Sequence, residues 1–88
     1  MGRKMKFNIK IDRHKEKERI SKNLKRLMKR YDLSPLDISE AIHVSRSAVY
    51  IWLKAENLIA SKYTWKLLKY FKRKGEYDLE ITEFVSRH

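Results

Sequence analysis

Apolar and polar residues alternate near the start of the chain, where Met5, Phe7, Ile9 and Ile11 stand between Lys4, Lys6, Asn8, Lys10 and Asp12. A period of two belongs to a half-buried strand and predicts one over residues 5–11. From about Glu18 the period lengthens. Ile20, Leu24, Leu27, Met28 and Tyr31 fall within roughly 80° of one another at about 100° per residue, so a helix with one apolar face is predicted. Lys22, Lys25, Arg26, Lys29 and Arg30 take the other side of it. Ser34-Pro35-Leu36-Asp37 then combines a Ser N-cap, a Pro at the first helical position and an acid at the third, three agreeing signals for a helix start. That short helix carries Leu36, Ile38, Ala41 and Ile42 and runs to about His43. Ser45 can cap another, ending near Lys54 or Glu56, with Val49, Trp52 and Leu53 inward and Ser47, Tyr50, Ile51 and Lys54 outward. A last helix is predicted over residues 61–73, burying Tyr63, Leu67, Tyr70 and Phe71 and closed at Gly75. Alternation returns in Tyr77, Leu79 and Ile81 and predicts a strand over residues 77–85. The Lys-rich polar face of the first strand and the acidic one of the last allow opposite-charge pairing, within one subunit or between two.

Charge changes the picture from a fold to a partner. The 88 residues hold 22 Lys and Arg against 11 Asp and Glu, a formal net charge of +11. The excess is uneven: residues 1–30 carry a net +10, residues 31–60 a net −2, residues 61–75 six basic groups and no acid, and residues 76–88 a net −3. Two basic blocks around a nearly neutral middle point to a polyanionic partner. The length sets a ceiling of one domain, 1–88, and 42% hydrophobic residues with two Gly and one Pro suit a helix-rich one. With no Cys there is neither a disulfide framework nor a Cys-based zinc site. Apolar runs of three or four residues are too short for a membrane span or a signal-peptide core, and a cytoplasmic setting is the default expectation.

Residues 34–54 are the informative stretch. Ile38, Ile42, Val44, Val49 and Trp52 have the spacing of a helix-turn-helix unit: two residues on the first helix, one plugging the turn and two anchoring the second helix. With Leu24 and Leu27 before it, Ser34 opening one helix and Val44-Ser45-Arg46-Ser47 opening the next, residues 20–71 resemble the lambda-repressor-like (Cro and repressor, XRE) family of DNA-binding domains. The resemblance implies a mainly α, four-helix domain, here with short terminal strands that pair or build a dimer. It departs from the family at Ser39, where a small Ala is preferred, and at His43, where Gly is preferred at the turn. A fifth helix is missing and a terminal strand takes its place, a feature similar to Cro-like repressors and small antitoxins.

What the resemblance implies for function is a sequence-specific, dimeric transcriptional regulator that represses by occupying a palindromic operator in double-stranded DNA. Carried over residue by residue, Ser45, Arg46, Ser47, Tyr50 and Ile51 face the bases. Arg46 can bridge O6 and N7 of a guanine, Ser47 can donate or accept, and Ile51 can touch a thymine methyl. The competing assignment packs Tyr50 and Ile51 on a partner or a terminal strand. Phosphates are expected at the N-terminus of the second helix, through the Ser34 hydroxyl and free backbone N–H groups. Arg3 and Lys4 of an N-terminal arm, Lys22 and Lys25 of the first helix, and Lys54 extend that contact. Trp65 reads better as a cover for the strands or a dimer contact than as a base-stacking platform. The alternative function is an antitoxin whose terminal strand or basic surface holds a toxin; a third is a nucleic-acid binder that relies on charge alone. An enzyme is not expected. His14, His43 and His88 lack metal-ligand spacing, no Gly-rich phosphate loop is possible, and Ser45 and Ser47 have no nucleophile-elbow context, so neither a metal nor a cofactor is called for.

Overall fold

The computed structural model describes residues 13–86. The predicted first strand, residues 5–11, and the arm residues Arg3 and Lys4 lie outside the described residues. Within them the chain is mainly helical, with four α-helices: α1 (Arg13–Arg30), α2 (Pro35–Ile42), α3 (Arg46–Leu53) and α4 (Ser61–Lys74). α1 begins seven residues before its first apolar residue, Ile20. Its opening turns are polar, and Arg19 is fastened there to Glu16 at 2.9 Å. Ser34 caps α2 in a reciprocal capping box with Asp37, and Ser45 caps α3 by accepting from the Ala48 N–H at 3.1 Å.

All four helices stop in the same way. One residue turns left-handed, and the next residue's N–H reaches back five positions: Leu33 to Met28 at 2.8 Å, Val44 to Ser39 at 3.1 Å, Glu56 to Ile51 at 3.0 Å and Glu76 to Phe71 at 3.1 Å. The left-handed residues are Asp32 (φ 54°), His43 (φ 58°), Ala55 (φ 60°) and Gly75 (φ 131°). Only the last is the residue type that adopts this conformation freely. A Cβ at Gly75 would also stand 3.3 Å from the Tyr31 hydroxyl.

The core is a single cluster. α1 supplies Ile20, Leu24, Leu27 and Met28, α2 Ile38 and Ile42, α3 Val49 and Trp52, and α4 Leu67, Leu68 and Phe71, joined by Ile59, Leu79 and Phe84. α4 is rotated slightly from the expected register: Thr64 and Leu68 are buried, while Tyr63 and Tyr70 are half-buried at its flanks. The two buried hydroxyls are satisfied, Ser21 donating to the Leu53 carbonyl and Thr64 to that of Ser61, both at 2.7 Å.

The predicted strand over residues 77–85 does not form. The segment turns on itself, with Leu79 N–H bonded to the Glu76 carbonyl and a 3-10 turn at Ile81–Glu83. Its buried residues are Leu79 and Phe84, five apart and so out of phase with alternation; Tyr77, expected on the apolar face, is 77% exposed. α1 takes the place of a partner strand. Arg19 donates to the carbonyls of Thr82 (2.9 Å) and Val85 (2.7 Å), Asn23 to that of Glu83 (3.0 Å), and Arg26 pairs with the Glu83 carboxylate at 3.3 Å. Phe84 then stacks on Phe71 with ring centroids 6.1 Å apart. The acidic tail is thus bonded to basic side chains of α1, and the cross-strand pairing expected between the two ends of the chain has no C-terminal strand to make it.

Candidate nucleic-acid interface

α3 is eight residues long and is held from three directions. Val49 and Trp52 point into the core, and the Trp52 ring meets Tyr63 of α4 at a centroid distance of 5.8 Å. Its C-terminal carbonyl at Leu53 accepts the Ser21 hydroxyl of α1. Its N-terminus is joined to α2 through the His43 turn, with Val44 half-buried beneath. Ser45, Arg46, Ser47 and Tyr50 remain on the outside, Tyr50 at 48% exposure. Four of the five residues expected to face bases therefore share one exposed surface. Ile51 does not. It is half-buried and packed against the core.

The two helix N-termini differ electrostatically. At α2 the Ser34 N–H and hydroxyl both donate to one carboxylate oxygen of Asp37, at 2.8 and 3.0 Å. These bonds, the backbone one first, hold the Asp37 carboxyl below its ordinary value. The Ser34 N–H and hydroxyl, the latter expected to meet a phosphate, are thus bonded to the chain's own carboxylate. α3 has no acid in its first turn. Among the described residues, no acceptor faces the Arg46 and Ser47 N–H groups, and the favourable end of that dipole opens beside the Arg46 side chain.

The predicted cations divide in the same manner. Lys22 and Lys25 of α1 meet Lys54 around one notch of about 260 Å³, floored by Ser21, Leu53 and Ala55, with Glu18 at its edge. The Ser21 to Leu53 bond sets this meeting; a buried Ser on the apolar side of α1 was the sequence signal for it. Arg26 and Arg30, expected on the free basic face of α1, are instead held by Glu83 and Glu76. Glu76 also accepts from the Tyr31 hydroxyl at 2.7 Å. The bonds from Tyr31 and then Arg30 lower the Glu76 carboxyl below its ordinary value, and the bond to Glu76 raises the Tyr31 phenol.

No group of three or more potential metal ligands occurs among the described residues, and none of their helices is long and apolar enough to cross a membrane. Compared with known proteins, the chain matches no family model, no curated protein and no solved structure.

Proposed function

We propose that the chain is a sequence-specific DNA-binding regulator, in which α2 and α3 form a helix-turn-helix of the lambda-repressor-like kind and α3 reads the major groove. The observation that carries this reading is the exposed face of α3: Ser45, Arg46, Ser47 and Tyr50 together on a helix whose opposite face is locked by Val49 and Trp52. Arg46 is the one guanidinium on that face and suits bidentate recognition of a guanine. The acid-free N-terminus of α3 approaches the groove without repulsion, and Lys22, Lys25 and Lys54 supply a sequence-independent grip on phosphates. Ile51, half-buried at the edge of that face, offers at most part of its side chain to a thymine methyl. The protein works as a dimer on a palindrome and represses by occupying promoter DNA. The antitoxin alternative drew on a terminal strand or the basic surface; residues 77–85 form no strand, so that reading now draws on the basic surface.

The test is retention of random genomic fragments by the purified protein, followed by sequencing. An enriched palindrome with half-sites about one helical turn apart is the expected result, and the absence of any enriched sequence at moderate salt would overturn the reading. With a site in hand, Arg46→Ala should relax preference at one position of each half-site and weaken binding there by about 1–3 kcal/mol.

A further inference from the structure

The outer face of α4 has no role in that reading. Lys62, Trp65, Lys66, Lys69, Lys72 and Arg73 fall within about 120° of the helix circumference and span about 16 Å along its axis. All six are exposed, Trp65 at 58%. No acidic residue lies between Glu56 and Glu76, and none of these cations has a carboxylate partner among the described residues. Lys62 and Lys66 lean over the Tyr63 ring instead, at 5.1 and 5.8 Å from its centroid. The surface is also separate from that of α3. Tyr63 is the residue that touches Trp52 of α3, and Trp65, two positions on, points about 200° away from it around the helix.

We propose that this face of α4 is a second nucleic-acid surface and that it takes a single strand, with Trp65 stacked on a base and the lysines on the phosphates to either side. Charge complementarity selects a polyanion. The exposed indole selects among polyanions: an unpaired strand offers base faces for stacking, whereas a duplex keeps them covered. A membrane surface is disfavoured because Leu67, Leu68 and Phe71 of the same helix are buried, leaving α4 no apolar face to insert. A symmetric contact between two copies would set the same cations against each other. The inference does not depend on α3 reading duplex DNA, and its test keeps the two apart.

The full-length chain is titrated with a 20-residue oligothymidylate while tryptophan emission is followed; Trp52 is 5% exposed and gives a protected background. The oligonucleotide should quench the exposed emission. Trp65→Ala should abolish that quenching and weaken binding about tenfold or more, Trp65→Tyr should recover most of the affinity, and Lys66→Ala with Lys69→Ala should reduce the salt dependence by about 1.4 in log–log slope. Affinity for a duplex selected through α3 should be unchanged in Trp65→Ala, and unchanged helical circular dichroism should accompany every variant. Equal oligothymidylate binding by Trp65→Ala would overturn the proposal. So would emission that is shielded in the free protein and uncovered by deleting residues 2–12, a dimer that Trp65→Ala converts to monomer, or equally tight Trp65-dependent binding to phosphatidylserine vesicles.

Discussion

Asp32, His43 and Ala55 end three helices in a conformation that an L-residue adopts at a penalty of about 1–2 kcal/mol. Asp and His tolerate it better than most residues, since short polar side chains are enriched there. Ala has no such compensation, because a methyl side chain cannot bond locally to the backbone as a polar one can. Ala55→Gly should therefore stabilise the domain by about 1 kcal/mol, which raises the thermal midpoint of a domain this size by about 4–8 °C. Calorimetry or thermal circular dichroism reads it directly, and a lower midpoint would contradict the strain argument. The position also matters for the proposed interface, because Ala55 closes α3 and floors the notch between Lys22, Lys25 and Lys54. A gain in stability without a change in DNA affinity would place its strain in folding alone.

The C-terminal segment is an element built from its neighbours' side chains. Glu76 anchors its start by accepting from Tyr31 and Arg30, and the same bonds hold its carboxyl below the ordinary value of 4.5. A lowered native pKa means that the unfolded chain binds the proton more readily. This contribution is whole above pH 4.5 and is lost as the pH falls through the native value. The Asp37 cap behaves alike below its ordinary 3.8. Stability should accordingly fall on acidification below pH 4.5, and Glu76→Gln should be less stable at pH 7 yet lose less across that acid range, as measured by urea unfolding at a series of pH values. The sequence made α2 and α3 legible because Ser34, Pro35, Asp37 and Ser45 are signals that act within one turn. It misled at residues 77–85 because three alternating apolar residues match a turn as easily as a strand. The deciding residue, Phe84, and the deciding donors, Arg19 and Asn23, lie some 60 residues apart in the chain. Ile51, expected on the outward face of its helix, is half-buried, a depth that its place on the helical wheel alone does not give.

At the scale of the molecule, the net charge is +11, and the cations of the described residues include two kinds. Arg19, Arg26 and Arg30 are committed to the protein's own carboxylates and carbonyls, whereas Lys22, Lys25, Lys54 and the α4 lysines are exposed and have no carboxylate partner among the described residues. Only the second kind can release counterions from a nucleic acid. Lys25→Ala should lower the log–log salt slope of duplex binding by about 0.9 and weaken all sequences alike, while Arg26→Ala should leave that slope nearly unchanged; filter binding at several salt concentrations separates the two. The arrangement of the core has a consequence for how the protein is made. Phe84 is fully enclosed against Phe71, and Arg19 closes on Val85 across 66 positions. During synthesis the first helix leaves the ribosome long before the residues that complete its surroundings, so the core is incomplete until Phe84 has emerged. Its folding is a step taken after translation has passed that residue, and a nascent chain stalled before it would display an open core.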